Sequence, residues 1–167
     1  MHGAWEKKVD HNAPLYSRQT EVGDATYLNI DWAINYWLEK GVPKDKFVLG
    51  LATYGRVFTL ADSSYLPGAL NNGTGAIGKV NFINFYFYRL FRNRRKYFFF
   101  KFTREAGFLS YFEICDKLIN KGWTRTWSNE QSVPYAYGEN QWVGYDDVQS
   151  LAIKVIFAWA FLLERAL

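Results

Sequence analysis

The sequence predicts an α/β fold, and local patterns in four segments carry that prediction. Residues 29–40 have the apolar spacing of a helix, and Phe47–Ala52 form a short apolar run that fits a strand buried on both faces. A second helical pattern spans residues 107–121, and residues 133–145 have the pattern of an aromatic hairpin. Helix, short loop and buried strand make half of an α/β repeat, so a mixed architecture follows.

The first helix has clear boundary signals. Asn29 stands where an N-cap is expected, and Gly41 and Pro43 follow as stop signals. One helical face gathers five apolar residues, namely Ile30, Ala33, Ile34, Trp37 and Leu38. We therefore expect this face to pack inward.

The later elements are predicted in the same way. In the helix of residues 107–121 the residues expected to face inward are Phe108, Phe112, Leu118 and Ile119, and Gly122 ends the helix. The hairpin turns at Gly-Glu-Asn, residues 138–140. Asp146 is predicted to cap a last helix, with Gln149 as its capping-box partner.

Charge is distributed unevenly along the chain. The net charge is +4, yet residues 80–102 alone carry six Lys or Arg and no acidic residue. Outside that stretch the chain is close to neutral. Composition therefore gives no reason to expect nucleic acid or a membrane surface as a partner of the remaining residues.

Cysteine content and apolar runs set further bounds. Cys115 is the single cysteine, so no internal disulfide can form. The first residues, MHGAWEKKVDHN, lack the apolar core of a signal peptide. The longest apolar runs, residues 85–88 and 155–163, are far shorter than the roughly 20 residues that span a bilayer.

Four segments together resemble glycoside hydrolase family 18 chitinases. They are HGAWEKKVDHNAPLYS (2–17), GVPKDKFVLGLATYGRVFTL (41–60), TREAGFLSYFEICDKL (103–118) and VPYAYGENQWVGYDDVQSLAIKV (133–155). Their order and spacing are similar to the C-terminal half of the family's catalytic domain, and the likeness stops near Val155.

The resemblance implies part of a TIM (β/α)8 barrel carrying an α+β insertion domain. Residues 1–56 would supply the exit of strand six, helix six and strand seven (47–54). Residues 57–143 would form the insertion domain, interrupted by residues 80–102. Residues 144–167 would hold helix seven and a tail unlike the family.

The resemblance also implies four substrate-binding residues. Trp5 would stack on a sugar, Tyr54 and Arg56 would line the floor of the cleft, and Glu113 would reach in from the insertion domain. The residue types suit the task, because sugar rings present an apolar face and a rim of hydroxyls. Trp142 is expected to add aromatic surface, whereas Trp123 and Trp127 are interpreted as core packing.

Other tempting residues are given ordinary roles. Asp146 and Asp147 are adjacent carboxylates at a helix start, so we interpret them as caps rather than a catalytic pair. His2 and His11 belong to no cluster of metal ligands. We predict no metal, no cofactor and no catalytic residue in this chain.

Function follows from the family's chemistry, which is retaining and substrate-assisted. The family's general acid lies in a D-x-x-D-x-D-x-E motif that these residues do not contain. The expected partner is chitin or a chito-oligosaccharide, and the family is extracellular. The chain is therefore predicted to be part of a chitinase that is inactive alone. The alternative is a non-catalytic lectin that binds chito-oligosaccharides. No nucleic acid, membrane or defined protein partner is expected.

Residues 80–102 stand apart from the family pattern. Eleven of the 23 residues are Phe or Tyr. The stretch suits an amphipathic membrane-surface helix, a nucleic-acid patch, or the translation of a retained AT-rich intron that starts at a GT-type Val80 codon. The intron hypothesis accounts best for the Phe98–Phe100 run, and it extends to the tail 156–167.

Overall fold

The computed structural model describes residues 6–71, Thr103 and residues 107–163. Its helices are α1 (Ile30–Glu39), α2 (Tyr111–Asn120) and α3 (Val148–Leu163). Its strands are β1 (Tyr54–Thr59), β2 (Phe108–Ser110), β3 (Thr124–Ser128), β4 (Val133–Gly138) and β5 (Gln141–Tyr145). Helices and strands thus mix along the chain, which confirms the α/β class.

The five strands form one sheet in the order β2-β1-β5-β4-β3, with every described pairing antiparallel. In the centre, Val57 of β1 lies opposite Val143 of β5. A TIM barrel requires parallel strands. The barrel that the family resemblance implies is therefore not seen among the described elements.

Alternation along the strands builds a core on each face of the sheet. On one face, α2 covers a buried cluster of Val57, Leu109, Ile114, Trp123, Ala136, Val143 and Tyr145. On the other face lies a second buried cluster, made of Val9, Phe58, Leu60, Tyr135 and Trp142. Adjacent residues such as Val57 and Phe58 point to opposite faces, so a single strand supplies both cores.

The second face is covered by residues 7–15, here called the covering segment. Val9 N donates to Ala69 O at 2.9 Å, and Leu15 N donates to Gln131 O at 2.9 Å. The ring of His11 lies edge-on to Trp142, with centroids 5.3 Å apart. These contacts hold an irregular segment against the sheet.

The predicted hairpin is confirmed as β4 and β5. Its two loop residues, Glu139 and Asn140, have φ of 53° and 65°, as a type I′ turn requires. Gly138 precedes the turn because a Cβ there would lie 2.4 Å from Trp123 Cδ1. Trp123 is only 5% exposed, which confirms its interpretation as a core residue.

The first helix is confirmed, together with its cap. Asn29 Oδ1 accepts a hydrogen bond from Trp32 N at 2.8 Å. The expectation that Trp37 faces inward is wrong, because its side chain is 53% exposed. Its ring lies edge-on to Tyr36 instead, with centroids 5.6 Å apart.

The predicted buried strand at Phe47–Ala52 is wrong. Residues 47–53 form no strand, and Val48 is 92% exposed. A barrel strand needs a parallel neighbour on each side. The described residues supply none, so strand structure begins only at Tyr54, where β2 and β5 provide partners.

The helix predicted over residues 107–121 is corrected at its start. Residues Phe108–Ser110 form β2, and the helix begins at Tyr111. Phe112 (47% exposed) and Ile119 (79% exposed) face outward, contrary to the expectation that they face inward. Ile114 faces the core at the helical spacing that also brings in Tyr111 and Leu118.

The predicted cap of the last helix is displaced by one residue. Asp147 and not Asp146 caps α3: its Oδ1 accepts from Ser150 N at 3.0 Å, and its own N–H donates to Ser150 Oγ at 2.9 Å. Gln149 is not the capping partner; its side chain accepts from Arg125. The interpretation of Asp147 as a cap is confirmed, and that of Asp146 is wrong.

Asp146 forms a buried ion pair instead. Lys154 Nζ lies 2.5 Å from Asp146 Oδ1, and the two side chains are 1% and 2% exposed. Lys154 also donates to Ala13 O at 2.6 Å. Burial lowers the pKa of the Lys154 ammonium, and Asp146 opposes that shift. The pair ties α3 to the covering segment.

Across the described ranges no helix has the length and hydrophobicity needed to cross a bilayer. Residues 80–102 lie outside the described residues, so all three interpretations of that stretch stay predictions.

Candidate functional site

An aromatic corner forms where β1 pairs with β2. Tyr54 and Arg56 lie two residues apart on β1, so their side chains share a face. Phe108 of β2 lies opposite Arg56. Its ring stacks on Tyr54, with centroids 4.6 Å apart and planes 22° from parallel. The corner therefore presents two aromatic rings beside one guanidinium.

Arg56 lies across both rings. Its guanidinium carbon is 5.4 Å from the Phe108 centroid and 5.9 Å from the Tyr54 centroid. These distances permit a cation–π attraction, which holds the planar fork of donors in a fixed orientation. All three side chains are half-buried, so they form a surface and not part of the core.

Gly55 allows the aromatic corner to lie close to the centre of the sheet. A Cβ at Gly55 would lie 2.6 Å from Val143 Cγ2 and 2.8 Å from Tyr145 Cβ. Only glycine allows β1 to lie this close to β5. Tyr145, which burial keeps neutral by raising its pKa, packs on the opposite face from Tyr54 and Arg56.

Glu113 lies beside the same corner, but its carboxylate is hydrogen-bonded to residues near it in the chain. Its Oε2 accepts from Ser110 N at 3.0 Å, Ser110 Oγ at 2.8 Å and Thr103 Oγ1 at 3.1 Å. These bonds form a capping box at the start of α2. Ser110 is the Cα partner of Tyr54, so the carboxylate lies next to the aromatic corner.

The structure brings together only some of the four predicted substrate-binding residues. Tyr54 and Arg56 come together around Phe108. Glu113 joins them through Ser110, although its side chain is 8% exposed. Trp5 lies outside the described residues. The binding roles of all four remain predictions.

Trp142 does not supply sugar-binding surface, contrary to expectation. Its side chain is 0% exposed. The indole stacks on Tyr135 at 5.5 Å, beneath His11 of the covering segment. Alternation within β5 directs it into the second core, and that burial excludes contact with a ligand.

Phe108 was missed as a site residue. The sequence predicted it as an inward helical residue, whereas it belongs to a strand whose Leu109 is buried and whose Phe108 and Ser110 are half-buried. The preceding Gly107 has a φ of 74°. That glycine could have indicated a break before the helix, and the alternation Phe-Leu-Ser a short strand.

The described carboxylates are largely committed to structural bonds. Asp147 accepts from Arg125 Nη2 at 2.7 Å in addition to capping α3. No group of three or more His, Cys, Asp or Glu side chains in the described ranges could hold a metal. The corner therefore offers stacking and hydrogen bonding, the means of a binding surface.

Comparison with known proteins places this arrangement in a family. Residues 1–160 match the family described as glycosyl hydrolases family 18. The match extends past Val155, so the likeness to the family does not stop there as the sequence suggested.

Individual relatives agree. The chain is 40% identical to human chitinase-3-like protein 2 over 159 residues, covering 94% of this chain and 35% of that protein. It is 39% identical to mouse chitotriosidase-1, covering 94% of this chain and 28% of that protein. It thus spans about a third of the length of these curated relatives.

A solved structure matches as well. Human YKL-39, described as a pseudo-chitinase with retained chitooligosaccharide binding properties, superposes with a TM-score of 0.78 at 40% identity. The superposition covers 96% of this chain and 38% of that structure.

Proposed function

The chain belongs to glycosyl hydrolase family 18, and from that premise we propose that it forms part of a cleft for chitin or chito-oligosaccharides. In this proposal residues 57–143, which hold most of the antiparallel sheet, are the family's insertion domain. Residues 1–56 and 144–167 are parts of its barrel. The proposal concerns binding first, because the described residues offer a binding surface.

The observation that carries the proposal is the Tyr54–Phe108–Arg56 corner. Its stacked rings match the apolar face of a pyranose, and the guanidinium fork can donate to ring hydroxyls or an acetamide carbonyl. Tyr54 and Arg56 would form the floor of the cleft.

Glu113 and Trp5 would complete the surface. All three bonds to Glu113 fall on Oε2, and Oε1 has no hydrogen bond to the described residues. Oε1 would accept from a sugar, while the capping box holds the carboxylate in place. Trp5 would stack on a neighbouring sugar ring.

Hydrolysis belongs to the longer parent chitinase in this proposal. The 167 residues contain no D-x-x-D-x-D-x-E motif and so no family general acid. General acid catalysis contributes about 10²–10⁴-fold to a rate. These residues alone would bind β-1,4-linked N-acetylglucosamine and leave it intact. In the parent, the substrate's own acetamide would act as the nucleophile.

The alternative function is a non-catalytic lectin. The 40% identity to human YKL-39, a pseudo-chitinase by its description, favours it. Both functions use the same aromatic corner. They differ at one position of the gene product: an intact Glu in the D-x-x-D-x-D-x-E motif favours the chitinase, and Leu or Gln there favours the lectin.

Binding of chitotetraose to the Arg56→Ala variant tests the proposal. Loss of charge-assisted hydrogen bonds of about 1.5–3 kcal/mol should weaken the affinity at least tenfold in calorimetric titration. Lys46→Ala is the matched control, because it removes one positive charge from an exposed position outside the corner. Equal affinities for the two variants would contradict the proposed site.

A further inference from the structure

The hydroxyl of Thr103 contacts both the strand and the helix beside the aromatic corner. Its Oγ1 lies 3.1 Å from Glu113 Oε2 and 3.2 Å from the carbonyl oxygen of Phe108. Phe108 belongs to β2 and stacks on Tyr54, whereas Glu113 lies in the first turn of α2. One side chain therefore joins the strand that carries the stacking surface to the carboxylate next to it.

The bond between Thr103 and Glu113 is not part of the capping box of α2. A capping box needs only the N-cap residue and the residue three positions later, which here are Ser110 and Glu113. Thr103 stands ten residues before Glu113 and outside the helix. The cap is complete without Thr103, so its hydroxyl does something other than end the helix.

The single hydroxyl proton of Thr103 is directed mainly to the carboxylate. A threonine hydroxyl has one proton to donate, and both Glu113 Oε2 and Phe108 O are within reach of it. A carboxylate oxygen is a stronger acceptor than an amide carbonyl oxygen. Glu113 therefore takes the larger share of a bifurcated hydrogen bond, and Phe108 takes the smaller share.

Three donors converge on one oxygen of Glu113. Oε2 accepts from Ser110 N, Ser110 Oγ and Thr103 Oγ1, which belong to two separate segments of the chain. Rotation of the carboxylate about its last torsion would break bonds to both segments. The other oxygen, Oε1, has no hydrogen bond to the described residues and is held in one orientation by the bonds to Oε2.

Burial gives this fixed orientation its importance. The Glu113 side chain is 8% exposed, so Oε1 is an acceptor in a largely dehydrated place. Buried acceptors are normally hydrogen-bonded. A long side chain also loses rotamer freedom when it binds a ligand, and that loss weakens affinity. In Glu113 the freedom is already lost in the folded protein, which favours binding.

We propose that Thr103 is a positioning residue for the proposed cleft. Its hydroxyl fixes the Glu113 carboxylate relative to the Phe108 strand, so that Oε1 is oriented before a ligand arrives. This inference rests on the proposed function, in which Oε1 accepts from a sugar hydroxyl. Thr103 acts through Glu113 and does not itself bind the sugar.

Calorimetric titration of chitotetraose into Thr103→Val and Thr103→Ser variants of the chain tests this role. Valine keeps the branched shape but removes the hydroxyl, so Glu113 turns more freely and the affinity should fall about fivefold. Serine keeps the hydroxyl and should hold the affinity within about twofold of the unaltered chain. Thr124→Val is the matched control and should leave the affinity unchanged, because Thr124 is exposed in β3 at the opposite edge of the sheet.

A double-mutant cycle separates positioning from a general structural effect. Glu113→Ala should weaken chitotetraose binding about tenfold, because an acceptor with a charge-assisted hydrogen bond is lost. If Thr103 acts through the carboxylate, adding Thr103→Val to Glu113→Ala should weaken binding by less than about twofold more. Circular dichroism of each variant shows that the fold is kept.

Three results would overturn the inference. They are equal affinities of Thr103→Val and the unaltered chain, a fivefold loss that persists in the Glu113→Ala background, and unchanged affinity in Glu113→Ala alone. Failure of the proposed cleft is a separate result, because it would appear as unchanged chitotetraose affinity in Arg56→Ala. Failure of the Thr103 inference would leave the loss in Arg56→Ala in place.

Discussion

Two apolar regions of this chain differ sharply in burial. The sheet region, made of β1–β5 with α2 and the covering segment, buries Phe58, Ile114 and Trp142 almost completely. The open region, made of residues 47–53 and α3, leaves Val48 92%, Ile156 68% and Trp159 64% exposed. A cavity of about 110 Å³ separates α1 and residues 47–49 from α3.

The difference shows that apolar composition does not by itself produce a core. In the sheet region each described strand finds an antiparallel neighbour within the chain, as β4 and β5 do across a two-residue turn. Residues 47–53 have no strand neighbour among the described residues and form no strand. The open region thus has the hydrophobicity of a core without the partners.

Breaking the link between the sheet region and the open region should lower the free energy of unfolding the most. Lys154→Met removes the cation that joins α3 to Asp146 and to Ala13 of the covering segment. Asp146 would remain buried without its partner, so the free energy of unfolding should fall by about 4 kcal/mol. Urea unfolding followed by circular dichroism measures the change.

Controls separate the pair from the general effect of losing a lysine. Lys46→Met, at an exposed position, should change stability by less than about 0.5 kcal/mol. Asp146→Asn combined with Lys154→Met should recover stability relative to Lys154→Met alone, since no uncompensated charge remains. A loss below about 1 kcal/mol for Lys154→Met would show that the pair does not join the regions.

Truncating single side chains of the sheet region tests whether burial determines their contribution to stability. Ile114→Ala removes a fully buried side chain beneath α2 and should cost about 3 kcal/mol. Ile119→Ala, on the same helix but 79% exposed, should cost less than about 0.5 kcal/mol. Thermal unfolding of both variants provides the measurement, and similar losses would contradict the described orientation of α2 on the sheet.

Substituting one glycine by alanine in each region compares the two regions directly, and it should give the smallest loss of stability of these tests. Gly55→Ala should destabilise the sheet region by about 2 kcal/mol, because the new Cβ would overlap Val143 and Tyr145. Gly50→Ala meets no atom within 4 Å and should change stability by less than about 0.5 kcal/mol. Guanidinium unfolding compares them, and equal losses would mean that residues 47–53 pack as closely as β1.

Local signals in the sequence were sufficient where the partners of a residue are near in the chain. The Asn29 cap, the turn at Glu139 and Asn140, and the core position of Trp123 were all predicted correctly. The start of α2 was missed because three strand residues, Phe108–Ser110, carry an apolar pattern that also fits a helix.

The site could be predicted only in part. Tyr54 and Arg56 were chosen from the family resemblance, and the strand alternation that places them on one face agrees with that choice. Phe108 joins them across 52 residues of chain, and pairing at that distance leaves no mark in local periodicity. The burial of Trp142 likewise depends on the covering segment, far away in sequence.

The covering segment also has a consequence for the timing of folding. Residues 7–15 are synthesised before their partners, which follow much later in the chain: Ala69 for Val9, Gln131 for Leu15 and Lys154 for Ala13. Contacts across such separations slow the search for the native state. The covering segment must therefore wait for partners as far along the chain as Lys154, and a chaperone that shields it during synthesis should raise the yield of folded protein.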